Sequence, residues 1–207
     1  MINTGEVIVN NDVIKDEAVQ VHENNNVVLK NKKLIARKSR YLMVHKPLDT
    51  VCSNIDESHP SVFNYISLNN VSDFHIAGRL DADTTGLVLI TDDGRWSFNI
   101  ISPNKRCEKI YRVSLRDDIT DDVVSRFNNG IQLQGEKLLT LPAKLEILSR
   151  KEVLLTITEG RYHQVKRMFA AVGNRVHRLH REEIGGIRLN IDLGQWRYLT
   201  EDEIALF

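Results

Sequence analysis

The sequence predicts an α+β fold, and three observations carry that prediction. Short β-branched runs and helical stretches follow one another without regular strand-helix alternation, which disfavours a doubly wound parallel sheet. No segment repeats, and none is of low complexity. With 207 residues, 42% of them hydrophobic, the chain can remove roughly 70% of its extended surface from water and form a true core.

Between Gly5 and Leu34, the runs Glu6-Val7-Ile8-Val9 and Val27-Val28-Leu29 alternate with turns such as Asn10-Asn11-Asp12 and Asn24-Asn25-Asn26, the pattern of a small β unit. The polar stretch Lys30 to Arg40 reads as a linker, so residues 1–36 form one unit and residues 37–207, opening with the end of that linker, form the other. In the second unit Leu87-Val88-Leu89-Ile90-Thr91 is a short buried strand closed by the turn signal Asp92-Asp93-Gly94. A short helix from Arg95 to Ile101 stops at Ser102-Pro103, and Lys109 to Leu115 is a strand with Tyr111, Val113 and Leu115 on one side. Thr120 caps a helix running to about Phe127 and ended by Asn128-Asn129-Gly130. Val153 to Thr158 is a strand followed by the turn Glu159-Gly160. In the helix after Gly160, Val165, Met168, Phe169 and Val172 share one face, His163, Lys166 and Arg167 the opposite one, and Gly173 ends it.

Cys52 and Cys107 form no C-x-x-C pair, which argues against a zinc site or a disulfide-stapled secreted domain. No apolar run approaches a membrane span and the polar first residues lack a signal-peptide core, so a soluble cytoplasmic protein is expected. The formal charge is zero, 28 Lys plus Arg against 28 Asp plus Glu, but the charges are unevenly distributed. Asn24 to Leu48 carries seven cations and no acid; Gly160 to Arg181 carries six and no acid. Two basic segments thus hide in a neutral total, and local potential attracts phosphate. On the helix after Gly160, the three basic groups lie near the positive end of the helix dipole, which suits an anion.

The densest chemistry lies in Gly78-Arg79-Leu80-Asp81-Ala82-Asp83-Thr84-Thr85-Gly86, with one cation, two carboxylates and two hydroxyls just before a buried strand. Alone, this segment serves equally as a D-x-D site for Mg²⁺ or as a turn in which Asp83 bonds the backbone.

Three motifs in order carry a resemblance: Gly78-Arg79-Leu80-Asp81 with Thr84-Thr85-Gly86-Leu87, then Cys107-Glu108-Lys109-Ile110-Tyr111, then Glu159-Gly160-Arg161-Tyr162-His163-Gln164-Val165-Lys166-Arg167-Met168-Phe169. Over about Tyr41 to Phe207 the chain resembles bacterial ribosomal RNA pseudouridine synthases. The Asp-Asp-Gly-Arg-Trp-Ser run and Ala170-Ala171-Val172-Gly173-Asn174 are most similar to the branch acting on one uridine of 16S ribosomal RNA. The resemblance implies a mixed, largely antiparallel sheet. It implies Asp81 as the catalytic aspartate, Tyr111 as the aromatic packing on the target base and Lys166 as the cation paired with the aspartate. Arg79, Thr84, Thr85, Arg161, His163, Gln164 and Arg167 would contact RNA, Arg79 by helping to displace the target nucleotide. The partner would be 16S ribosomal RNA or an immature small subunit, and nothing in the sequence demands more than a monomer.

The implied reaction breaks the N1 to C1′ bond of uridine, turns the base and joins C5 to C1′, with no redox change, so neither cofactor nor metal is needed. A carboxylate can attack C1′, stabilise its positive character or remove a proton. Because a stacked base hides the reaction centre, the base must flip into an enclosed aromatic pocket. Two local departures stand out in Tyr41 to Asp49: the family more often has Asn where His45 stands and Gly where Asp49 stands. A larger one is N-terminal, where relatives carry an S4-like RNA-binding domain that opens with helices, and residues 1 to about 36 look like only its β-rich remainder.

The competing expectations are a non-catalytic RNA-binding or ribosome-assembly protein, a synthase acting on 23S ribosomal RNA, and a Mg²⁺-dependent nuclease using Asp81 and Asp83. Retention of Asp81, Tyr111 and Lys166 together favours the isomerase.

Overall fold

Two tight turns set the N-terminal sheet. β1 (Val7–Val9) is joined to β2 (Asp12–Ile14) through Asn10 and Asn11, with φ of +51° and +77°, and β3 (Val27–Leu29) to β4 (Lys32–Lys33) through Lys30 and Asn31, at +48° and +63°. Two successive left-handed residues are the type I′ geometry, whose twist matches that of antiparallel strands, and Asn tolerates that conformation well. The sheet order is β2-β1-β3-β4. The stretch expected to be a plain linker therefore contains β4.

The computed structural model describes every residue except Glu23, Ala36 and Glu57, and the chain divides into Met1–Ser39 and Arg40–Phe207. The boundary expected at residue 36 lies outside the described residues; the division comes after Ser39.

The second unit is built on a sheet ordered β13-β5-β7-β11-β8-β10-β9, with β6 beside β7 and β12 beside β11. Its strands are β5 (Tyr41–Lys46), β6 (His75–Ala77), β7 (Thr85–Thr91), β8 (Lys109–Leu115), β9 (Lys144–Ser149), β10 (Glu152–Ile157), β11 (Val176–Ile184), β12 (Ile187–Arg188) and β13 (Trp196–Tyr198). Among these strands β7 and β11 pair in parallel and the remaining pairs are antiparallel, so the sheet is mixed and largely antiparallel. The helices are α1 (Gly94–Ile101), α2 (Asp122–Asn128), α3 (Gln164–Ala171) and α4 (Glu201–Ile204).

β7 reads as a continuous apolar run because both its faces are covered. Val88 and Ile90 join Leu42, Val44, Val113, Phe127 and Phe169 in the larger core; Leu87 and Leu89 join Met43, Trp96, Ile100 and Ile184 on the other side. That division follows the two-residue period of a strand. Val165, Met168 and Phe169 are buried as the helical spacing predicts, Gly173 follows α3 at φ +82°, and both cysteines are buried and free.

Two local expectations need correction. Asp92-Asp93-Gly94 starts a helix directly: the Asp93 carboxylate accepts from the N–H groups of Arg95 and Trp96 at 2.9 and 3.0 Å, which is N-capping. Asp92 is paired with Arg40 at 2.8 Å. Thr120 does not cap α2; Asp121 is the N-cap, and Thr120 contributes only its carbonyl, to Val123 N–H.

One edge of β7 changes partner along its length. Thr85 and Gly86 pair with His180 and Arg181 of β11, whereas Leu89 to Thr91 pair with β6. Gly86 is required at this fork: at φ +118°, a Cβ there would sit 2.3 Å from the Arg181 carbonyl oxygen.

Candidate active site

The loop from Gly78 to Thr84 connects β6 to β7 beside this fork, and it forms one wall of an open cleft of about 930 Å³. The β8 residues Lys109 and Tyr111, β11 residues Leu179 and Arg181, the start of α3 with the turn before it, and the segment Val51 to Asn54 supply most of the remaining lining. Asp81 is half-buried on this loop. Lys166 Nζ reaches it from α3, 2.8 Å from Asp81 Oδ2 and 2.5 Å from Asp83 Oδ1, and His163 Nε2 lies 3.5 Å from Asp81 Oδ1. Burial disfavours the charged Lys166, but its hydrogen bonds to Asp81 and Asp83 outweigh that and hold the ammonium above its ordinary range. Burial likewise opposes the Asp83 carboxylate, and Lys166 more than compensates, keeping it below the usual range.

The bridging ammonium stands between the two carboxylates, where a D-x-D metal site would need its cation. Among the described residues no group of three or more His, Cys, Asp and Glu is arranged to hold a metal ion. The nuclease expectation therefore lacks a ligand set.

Beneath the loop lie three buried cations that belong to no ion pair among the described residues: Lys46, Lys109 and Arg181. Each shares a strand face with a core residue two positions away: Val44 for Lys46, Tyr111 for Lys109 and Leu179 for Arg181. Lys46 Nζ donates to the carbonyls of Pro47, Ala82 and Thr84 at 2.9, 3.3 and 2.8 Å. Lys109 Nζ donates to Ile100 and Cys107 carbonyls at 3.2 and 3.0 Å. Burial pushes both ammonium groups below their ordinary range.

Arg181 is 1% exposed and occupies the fork in the sheet. Its Nε donates to the Leu87 carbonyl at 2.8 Å, which the change of strand partner leaves available, and Nη2 donates to the Gly78 carbonyl at 2.7 Å. Nη1 donates to the Tyr111 hydroxyl at 3.3 Å and the Arg79 carbonyl at 3.5 Å. One guanidinium thus ties the aspartate loop to the buried Tyr111. In sequence Arg181 is one more cation of a basic stretch; the strand face it shares with Leu179 is the signal that it points inward.

The other expected site residues divide. Arg79, Thr84, Arg161, His163 and Gln164 line the cleft with Asp81, Tyr111 and Lys166. Arg79 is exposed, whereas Thr84 is buried. Arg161 pairs with Glu159 at 3.1 Å and donates to the carbonyls of Leu138 and Leu139 at 2.9 and 2.6 Å. Gln164 is buried, bonded to Glu159 and to the Arg161 N–H. Arg167 is paired with Glu136 at 3.1 Å and lies outside the cleft lining, and the Thr85 hydroxyl meets His180 Nδ1 at 2.7 Å, also outside it. The segment without acids in sequence therefore gains Glu136, Glu159, Asp81 and Asp83 in space. Asp49 keeps the local turn despite its side chain, at φ +56° with its N–H bonded to the Ala82 carbonyl at 3.0 Å.

Residues 40–171 match the family model described as RNA pseudouridylate synthase. The chain is 50% identical over 207 residues to "Ribosomal small subunit pseudouridine synthase A" of Vibrio cholerae, covering 99% of this chain and 90% of that one. It is 48% identical to the protein of the same name from Escherichia coli, with the same coverage. A solved structure titled "Crystal structure of pseudouridylate synthase" matches with a TM-score of 0.80 and 44% identity, over 100% of this chain and 90% of the other. With the family model, the near-full-length identity and the overall fold in agreement, this chain belongs to the RNA pseudouridylate synthase family.

Proposed function

We propose that this chain isomerises a uridine of 16S ribosomal RNA to pseudouridine, alone or within an immature small subunit, and that Asp81 is its catalytic carboxylate. The observation carrying this reading is the Asp81 carboxylate held by Lys166 at 2.8 Å in an open cleft whose wall includes the ring of Tyr111. The names borne by relatives about half identical to this chain support the choice of RNA.

The uridine flips out of its strand and enters the cleft, with its base against Tyr111. Asp81 acts at the glycosidic carbon; both attack on C1′ and stabilisation of positive charge there require a carboxylate, and Lys166 and His163 hold that group in place at 2.8 and 3.5 Å. The N1 to C1′ bond breaks, the base turns and C5 bonds to C1′. C5 then loses its proton and N1 ends with one, so atoms balance without an outside reagent. Arg181 is a positioning residue, holding Gly78, Arg79 and Tyr111 in one frame. The exposed Arg79 faces the incoming nucleotide and His163 lines the same cleft, whereas Thr84 is buried in the loop. The side chains of Arg161, Gln164 and Arg167 brace the entry to α3, and the Thr85 hydroxyl is engaged by His180 outside the cleft lining.

Met1–Ser39, with the exposed Lys32 and Lys33, serves in this reading as an S4-like accessory RNA-binding unit, and the protein works as a cytoplasmic monomer. The test incubates a 16S transcript or immature small subunit with the protein and maps pseudouridine. Asp81→Asn abolishes product and largely retains RNA binding; turnover by that variant rejects the role of Asp81, and no product from the folded native chain rejects the function.

A further inference from the structure

Most of the Tyr162 side chain has no packing role, since the residue is 76% exposed although it lines the cleft that holds Asp81. Its ring lies flat against His163, with centroids 3.8 Å apart and planes inclined by 20°. His163 in turn lies 3.5 Å from Asp81 and takes φ +48°, a left-handed conformation unfavourable to a residue with a Cβ. The backbone beneath the ring is anchored, because the Tyr162 carbonyl accepts from Arg167 Nη1 at 3.1 Å. The result is a solvent-facing aromatic plane, backed by a second ring, beside the Asp81 carboxylate.

We propose that the Tyr162–His163 pair is a base-stacking subsite that takes the nucleobase adjacent to the uridine entering the cleft. This rests on the RNA-modifying reading. A nucleotide that flips out leaves its neighbour with one face unstacked, and an aromatic plane at the cleft rim replaces that lost contact. Every base has a π face, so the subsite favours stacking without reading a particular base. Tyrosine suits such a position because its large, stiff ring loses little freedom on binding and its hydroxyl stays wet.

The test measures Kd for a 16S transcript, using Asp81→Asn protein to prevent turnover. Adding Tyr162→Ala weakens binding about tenfold, while Tyr162→Phe leaves it unchanged, because the face is what matters. On an oligoribonucleotide spanning the converted uridine, removal of the neighbouring base on one side and Tyr162→Ala then give non-additive losses. Unchanged affinity for Tyr162→Ala, or additive losses on both sides, overturns the subsite. If the native chain converts no uridine, the function falls by itself and the affinity comparison still decides the platform.

Discussion

Replacing Arg181 by Met removes the guanidinium at the sheet fork while roughly keeping side-chain length. The two shortest bonds lost, at 2.7 Å to Gly78 and 2.8 Å to Leu87, have a charged donor, for which about 1.5–3 kcal/mol each is typical. Relief from burying a charge without a carboxylate partner offsets part of that sum, leaving a net loss of about 3 kcal/mol. For a protein of this size each kcal/mol lowers the melting temperature by roughly 2–4 °C, so thermal unfolding should shift down by about 6–12 °C. Activity should fall further than folding accounts for, because Gly78, Arg79 and Tyr111 lose their common anchor; a displacement of about 1 Å at the reacting groups costs on the order of a hundredfold in kcat. RNA affinity should change little, since Arg181 is buried. The assay pairs thermal unfolding with single-turnover pseudouridine formation at a temperature where the variant is fully folded. Arg181→Lys should recover part of the stability but not the full rate, as one ammonium cannot reproduce the planar fork. A melting shift under about 2 °C together with native turnover would refute the anchoring role.

The Lys166 cluster should show a two-sided pH dependence. The folded ammonium is held above its ordinary range, so its contribution is fully present below the unfolded value and is lost as pH rises through the folded one. Asp83 is held below its range, so its contribution is present above the unfolded carboxylate value and is lost as pH falls through the folded one. Melting temperatures measured from acid to alkaline pH should therefore converge for the native chain and Lys166→Met at both extremes, and a constant difference would reject the pairing. Gly86→Ala should destabilise by about 3 kcal/mol, combining backbone overlap with a disfavoured positive φ; a variant as stable as the native chain in urea would show that β7 and β11 can separate freely.

Much of the architecture was legible because it depends on local chemistry. The runs around Val88 and Val113 alternate or pack as strands must, the apolar face of α3 is buried, and Gly130 and Gly173 take the positive φ values that follow helices. Asp93 shows where local reading fell short: Asp followed by Gly marks a turn and a helix start alike, and only the N–H groups of Arg95 and Trp96 distinguish them. Charge counting misjudged the basic stretches for a different reason. Coulomb interaction depends on distance in space, and Lys46 is buried while Arg161 and Arg167 meet acids more than one element away or across a turn.

By itself, then, the sequence determined the mixed α+β class and the order of the three motifs, since residue type and spacing survive in one dimension, and the resemblance those motifs carry singled out Asp81, Tyr111 and Lys166 as candidates. Tertiary structure alone decided that Lys166 also reaches Asp83, that Arg181 closes a fork between β6 and β11, and that Tyr162 stays outside the core. These facts concern groups up to 103 residues apart, whose proximity follows from strand order and register. Neither strand order nor register is contained in the local periodicity of any one segment, because each arises from which faces the whole chain can bury at once.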